Sequence, residues 1–208
     1  MDIKIDSLDV KDKWKKRFKL LSLVEADKLS RDQFSRSDKF KQLSFKEKWS
    51  INSNYWAFWG GFIYYFIKGM PDKACVILFM SVIWGMLLSI IDFFFGLSIP
   101  TSTYWILPQG FCMMYANLDV YRKALFDETM WKSWPSIFHR TNVVVLLAVG
   151  SIVLNVIMAV YMVNHEYATQ AAEDSEDRVH VNCGMSNIYA LQSEIDEFGK
   201  PYLCTLIP

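Results

Sequence analysis

The sequence predicts an all-α integral membrane protein with three transmembrane helices, four being the alternative count. Of its 208 residues, 52% are hydrophobic and 16% aromatic, which is high for a soluble globule, and long uncharged runs separate the clumps of charge. Charge is also divided along the chain: residues 1–50 hold 14 Lys and Arg against 9 Asp and Glu, whereas residues 164–208 hold 2 against 8. The zero net charge therefore conceals two ends that suit different environments.

Residues 1–50 are predicted to form a basic, amphipathic cytoplasmic head. Apolar residues recur there at helical spacing, for example Trp14, Phe18 and Leu21. One interpretation packs this apolar stripe on neighbouring protein, and the other lays a basic helix on anionic lipid headgroups. Under the second interpretation the membrane-contacting cations are Lys15, Lys16 and Arg17.

Residues 51–164 are predicted to form the membrane domain. The uncharged runs long enough to cross are 74–97 and 142–163, and a weaker span over 104–118 is interrupted by Pro108. The aromatic run 55–67 would extend only about 20 Å as a helix, which is short of the ~30 Å hydrocarbon core. We therefore predict an interfacial or re-entrant segment there, with a crossing as the alternative. Its membrane-interface aromatics are Trp56 and Trp59.

Residues 119–140 carry both charges and aromatic side chains, and they predict an interfacial helix that lies along the membrane with Trp131 and Trp134 at headgroup level. Cationic residues near span ends are retained in the cytoplasm. Three crossings, with 55–67 not crossing, place the basic segments inside and the uncharged connection 98–103 outside. The sequence thus predicts a cytoplasmic N-terminus and an extracytoplasmic C-terminus.

The acidic tail, 165–208, is predicted to be a small extracytoplasmic segment stapled by a disulfide. Cys183 and Cys204 enclose about twenty residues, and such a bridge stabilises by roughly 3 kcal/mol in an oxidising compartment. Cys75 and Cys112 fall within membrane segments and are expected to be inert apolar residues. His180 with Cys183 supplies too few ligands for a metal site, so no metal is predicted.

Three polar residues within the membrane domain are candidates for a special role: Asp92, Asn117 and Asn155. Asp92 lies near the outer end of its span, where it could cap the helix, reach water or contact an ion or partner. Asn155 is more central, and a hydrogen bond across a helix interface is the expected role there.

Motifs of catalysis are missing from the sequence: it has no Gly-rich phosphate loop, no His-Glu-x-x-His pattern and no Ser-centred elbow. We therefore expect no enzymatic activity and no cofactor. Nucleic-acid binding is not expected either, because many acidic residues are interleaved with the basic residues of the head.

Two segments carry a family resemblance. The run Lys48-Trp49-Ser50, then Asn54 to Met70 (NYWAFWGGFIYYFIKGM), and the later Ala116 to Ala124 (ANLDVYRKA) resemble a family of bacterial inner-membrane proteins designated domain of unknown function 2628. The resemblance covers roughly residues 45–125. Gly61 stands where the family usually has Pro, and Pro71 where Trp is common. The resemblance implies a location in the bacterial inner membrane and no established activity. With the orientation predicted from the basic residues, the C-terminus would then be periplasmic.

The leading hypothesis is a small non-enzymatic protein that acts by binding another membrane or envelope protein at the bilayer, as an immunity protein or as a subunit or regulator of an envelope complex. The alternative is a component of an ion or small-solute channel or transporter, with Asp92, Asn155 and the interruption at Pro108 as its polar lining.

Overall fold

The computed structural model describes residues 2–176, 178–183, 186–191 and 204–206, with side chains over 3–169. It divides into two compact units, 1–155 and 156–208. The helices of the head and of the segment that follows it are α1 Asp2–Asp6, α2 Asp12–Leu23, α3 Arg31–Arg36, α4 Asp38–Lys41, α5 Phe45–Asn52 and α6 Tyr55–Ile67. The later helices are α7 Pro71–Phe95, α8 Thr101–Phe126, the 3-10 turn Ser136–His139 and α9 Thr141–Glu176.

The head is a folded layer of helices on the C-terminal half of α8. Phe18 and Leu21 of α2 are fully buried in one apolar cluster with Tyr121 and Leu125 of α8. Ser30 and Ser44 cap the N-termini of α3 and α5 with capping boxes. In each, the serine hydroxyl accepts a hydrogen bond from the backbone N–H of the third helical residue, and the side chain of that residue accepts one from the serine backbone N–H. The apolar stripe of α2 therefore packs on protein, as the first of the two interpretations required.

Helix α6 is broken in its middle. Gly61 has φ +48° and ψ −130°, a conformation that glycine reaches without a Cβ penalty. The Asn54 backbone N–H before the break donates to the Met113 carbonyl of α8. The hydroxyl of Tyr65, after the break, donates to Asp119 of α8. Both ends of α6 therefore contact the 113–119 stretch of α8, from its middle toward its C-terminus.

Helices α7 and α8 form a hairpin whose turn is 96–100. Gly96 ends α7 in the left-handed conformation at φ +57°. The Asp92 carboxylate accepts a 3.1 Å hydrogen bond from the Ile99 backbone N–H, so it caps this turn. Pro108 lies inside α8, which continues as one helix to Phe126.

The interfacial helix predicted over 119–140 is wrong. Residues 119–126 are the last turns of α8, and Asp127 ends that helix with φ +53°. An irregular segment follows as far as the 3-10 turn 136–139. The error arose because the mixture of aromatic, apolar and charged residues suggested a surface along the membrane, whereas Tyr121 and Leu125 pack against the head.

Two helices are long and apolar enough to cross a membrane, α7 and the 141–169 part of α9. They correspond to the predicted spans 74–97 and 142–163, so the helical character of the fold and these two candidate spans are confirmed. The third span, 104–118, stays a prediction. Valine, leucine and isoleucine side chains are exposed along α9, for example Leu146 and Ile157.

The tail departs from the all-α prediction. Its described residues include three antiparallel strands, β1 Arg178–Cys183, β2 Ser186–Leu191 and β3 Cys204–Leu206. The sheet order is β2-β1-β3. Residues 177, 184–185, 192–203 and 207–208 of the predicted stapled tail lie outside the described residues.

Candidate functional site

A buried ion pair joins the two helices of the hairpin. Lys73 lies in the first turn of α7 and Asp119 in α8, and both side chains are 0% exposed. The Nζ to Oδ1 distance is 2.7 Å. Charges are taken from water into such a place only when partners meet their hydrogen-bonding needs.

The Asp119 carboxylate has its remaining capacity filled from two other segments. Trp131 Nε1 donates to Oδ1 at 2.8 Å, and the Tyr65 hydroxyl donates to Oδ2 at 2.9 Å. Trp131 also presents its ring to the ammonium of Lys73, 5.3 Å from the centroid. One carboxylate thus ties α6, α7, α8 and the segment after α8 together.

The cluster is balanced in charge. Lys73 Nζ also contacts Glu128 Oε1 at 3.1 Å, and Arg122 lies 3.9 Å from the same oxygen. Arg122 in turn donates to the carbonyls of Ala26 and Leu29 in the head, at 2.8–3.0 Å. With two cations and two carboxylates held together, the site is suited to fixing the head on the hairpin, because losing any one partner leaves a buried charge uncompensated.

A second polar joint surrounds Asn117, which is fully buried in α8. Its Oδ1 accepts from Asn54 Nδ2 at 2.9 Å and from Arg17 at 3.3 Å. Its Nδ2 donates to the carbonyls of Ser50, Ile51 and Ser53 at 3.0–3.3 Å. Burial lowers the pKa of the Arg17 guanidinium from its ordinary value. Asn54 and Asn117, which belong to the two segments of the family resemblance, therefore meet at the point where α5 leads into α6.

The predicted membrane-interface residues separate into two groups. Trp56 and Trp59 are 81% and 75% exposed on α6, which suits an interface. Trp131 is only 6% exposed and donates to Asp119, so its assignment to headgroup level is corrected. Trp134 is half-buried and stacks beside Trp131, with ring centroids 5.0 Å apart.

The predicted basic residues of the head also differ from one another. Lys16 is exposed, whereas Lys15 is half-buried and donates to the Asp6 carbonyl at 2.8 Å. Arg17 points inward to Asn117 and Ser50. Arg17 therefore stabilises the contact between the head and α8. Its predicted role as a lipid contact is wrong.

Among the other predicted residues, Asp92 has the capping role described above, and Asn155 is half-buried on α9. Cys75 and Cys112 are buried free thiols. In the tail, β3 pairs with β1 so that Cys204 stands directly opposite Cys183. The side chains of these two cysteines are outside the part for which side chains are described, and the disulfide stays a prediction.

Sequence reasoning missed the Lys73–Asp119 pair. A partial signal is present in the sequence: Lys73 stands 96 − 73 = 23 positions before the hairpin turn at 96–100, and Asp119 stands 119 − 100 = 19 positions after it. Opposite charges at similar distances from a hairpin turn come to similar levels when the two arms are antiparallel.

No family model, curated protein or solved structure matches this chain. The fold and the site define a helical chain with two candidate membrane spans. Its head is held on the α7–α8 hairpin by a buried ion pair and by buried hydrogen bonds.

Proposed function

We propose that the chain is a non-enzymatic membrane protein that presents its head to a second protein at the bilayer surface. An immunity protein and a subunit or regulator of an envelope complex are the two forms that this function would take. The buried cluster supports a structural role, since its two carboxylates are paired within the protein and Asp119 is inaccessible to solvent.

The observation that carries the proposal is an open cleft in the head, of about 750 Å³, between α2 and α5. Leu20 and Leu23 supply apolar surface, and Leu23 is 55% exposed. Lys16 and Lys46 stand at its rim as exposed cations, and Lys19 is there too, paired to Asp6 at 2.8 Å. An apolar floor between cations fits an acidic, amphipathic segment of a partner.

The observations favour this function over a channel component. Asp92 is engaged by the Ile99 backbone N–H at the hairpin turn. The region around Pro108 lines a cavity whose other walls include Ile77, Met80 and Leu107. A route for ions would require polar groups along such a wall.

We also propose the location and topology expected from the sequence: a bacterial inner membrane, a cytoplasmic head, three crossings and a periplasmic tail. The support is that Asn54 and Tyr65, on either side of the break at Gly61, both contact the same 113–119 stretch of α8. A segment that begins and ends on one side of the membrane leaves Lys68 and Lys73 on the same side as the head, in agreement with the charge rule.

The test uses a photo-crosslinking amino acid placed at position 23 in the cleft or at Lys13, which is exposed on the same helix outside the cleft lining. Irradiation in native membranes is expected to give one adduct of defined mass at position 23 and none at position 13. The double substitution Lys16→Glu and Lys46→Glu should abolish that adduct. Once the partner has been identified from the adduct and purified, the same double variant should fail to bind it. Equal labelling at both positions, or binding indifferent to the charge reversal, would contradict the proposal.

A further inference from the structure

Two cavities of opposite character share a wall on the face of the hairpin next to α3. The first is an apolar cavity of about 180 Å³ between α7 and α8, reaching Met80 and Trp84. The second is a polar cleft of about 570 Å³ between the 27–33 segment of the head and α8. Phe111, Trp131 and Trp134 line both cavities. The pair forms one groove that is polar toward the head and apolar toward the hairpin turn.

The polar part offers cations that the protein leaves without an anion. Among the described residues, Arg31 and Lys132 have no carboxylate within ion-pair distance. The Arg31 guanidinium stacks over Tyr115 at 5.1 Å, and its Nε is buried without a hydrogen-bond partner in that part of the chain. A buried donor left in this way is costly unless a ligand completes it.

The acidic residues in the same cleft do not remove this positive character. Glu128 is already held by Lys73 at 3.1 Å, with Arg122 at 3.9 Å. Asp27 and Asp32 remain, against Lys28, Arg31 and Lys132. The charged residues of the cleft that are not already paired with Glu128 therefore carry a net charge of +1.

We propose that this groove, Arg31 and Lys132 at one end and the apolar cavity at the other, binds an anionic phospholipid. Its phosphate would be held by Arg31, whose planar guanidinium matches phosphate oxygens, with Lys132 adding charge. Part of one acyl chain would enter between α7 and α8. The apolar cavity is smaller than the ~300–1,000 Å³ of a pocket that encloses a whole small molecule, so the remaining chain stays in the bilayer.

The location of the groove fits this occupant, on the premise that the hairpin is embedded in a membrane as proposed above. Trp134, which is half-buried, stands where the groove changes from polar to apolar, and tryptophan is enriched at the level between headgroups and hydrocarbon. Basic pockets beside membrane helices on the cytoplasmic side are known to take anionic headgroups.

The experiment measures lipid binding to the full chain in a neutral mild detergent by native mass spectrometry. Phosphatidylglycerol is compared with phosphatidylcholine of the same chains, and inorganic phosphate serves as the headgroup control. Phosphatidylglycerol is expected to bind at least about tenfold more tightly than phosphatidylcholine, because the net positive charge of the cleft repels the choline cation, and Arg31→Gln should remove most of that preference because it removes that net charge. Inorganic phosphate should compete only weakly.

Two further variants keep the result interpretable. Leu107→Trp fills the apolar cavity without altering the cations, and it should weaken both lipids while phosphate competition is unchanged. Lys13→Gln removes an exposed cation elsewhere in the head and should leave the preference intact. Equal affinity for the two lipids, an unchanged preference in Arg31→Gln, or phosphate binding as tightly as the lipid would each overturn the proposal. Because the head cleft is not altered, crosslinking at position 23 should survive in Arg31→Gln, which separates this result from failure of the proposed protein partner.

Discussion

Replacing Lys73 by methionine tests the buried cluster most sharply. Methionine keeps much of the volume of the lysine side chain but removes its charge and its two ion pairs, at 2.7 Å to Asp119 and 3.1 Å to Glu128. Among the described residues, Glu128 then keeps Arg122 at 3.9 Å, and Asp119 has no cation within ion-pair distance. Leaving one buried charge uncompensated is expected to lower the free energy of unfolding by about 3–5 kcal/mol. For a chain of this length that corresponds to a fall in Tm of about 6–20 °C.

A second substitution separates charge balance from packing. Asp119→Asn added to Lys73→Met removes the unpaired negative charge, while the amide oxygen can still accept from Trp131 or Tyr65. Glu128 then has Arg122 alone, and the cluster is balanced again. If the two substitutions acted independently, the double variant would be less stable than Lys73→Met. Because the second substitution restores the charge balance, the double variant is expected to be more stable. Lys13→Met is the matched control at an exposed lysine, and its Tm should stay near that of the parent.

The assay follows the exposure of Cys75 and Cys112, the two buried thiols of the same core, by a thiol-reactive dye during heating in mild detergent. Cys183→Ser and Cys204→Ser are included in every protein to remove the tail signal. A Lys73→Met variant that melts within about 2 °C of its parent, or a double variant no more stable than Lys73→Met, would refute the electrostatic account of the cluster.

Gly61→Ala should destabilise α6 by about 1–3 kcal/mol, because φ is +48° and a Cβ would lie 2.6 Å from a side-chain oxygen of α8; an unchanged melting temperature in detergent would contradict this. The Ser44 hydrogen bonds lower the pKa of Glu47, so this stabilisation of α5 is present above the ordinary pKa and is lost as pH falls through the lowered one. Glu47→Gln should flatten that acid dependence in hydrogen exchange of α5, and an unaltered pH profile would count against it. For the tail, Cys183 and Cys204 should resist alkylation in denatured, non-reduced protein, and free thiols at both positions would defeat the disulfide. Cα partners on neighbouring antiparallel strands lie about 4.5–5.5 Å apart, within disulfide reach, and each Cys→Ser change should weaken the tail equally.

Features of the fold that depend on residues close together in the sequence could be predicted from the sequence. The two long apolar runs became α7 and the 141–169 part of α9, because hydropathy over a span is a sum of local terms. The stripe of Trp14, Phe18 and Leu21 was identified as amphipathic for the same reason. What covers that stripe was not decided by the sequence, since protein and lipid present equally apolar surfaces.

The parts of the site that depend on long-range register could not be predicted. Trp131 was assigned to a lipid interface by its residue type, but the end of α8 at Asp127 turns the chain back and buries it on Asp119. Arg17 looked like one cation among several, whereas its partner Asn117 is a hundred residues away. Such contacts follow from how the helices pair, and no local pattern encodes them.

The central proposal puts the head and both ends of α6 on one side of a bacterial inner membrane and the tail on the other. Reporter domains fused after Pro71 and after Asp177 test it directly in living cells. The proposal predicts cytoplasmic activity after Pro71, since α6 would not cross, and extracytoplasmic activity after Asp177, since α9 would be the last span. An extracytoplasmic signal at Pro71 would mean that α6 crosses, and a cytoplasmic signal at Asp177 would reverse the final span.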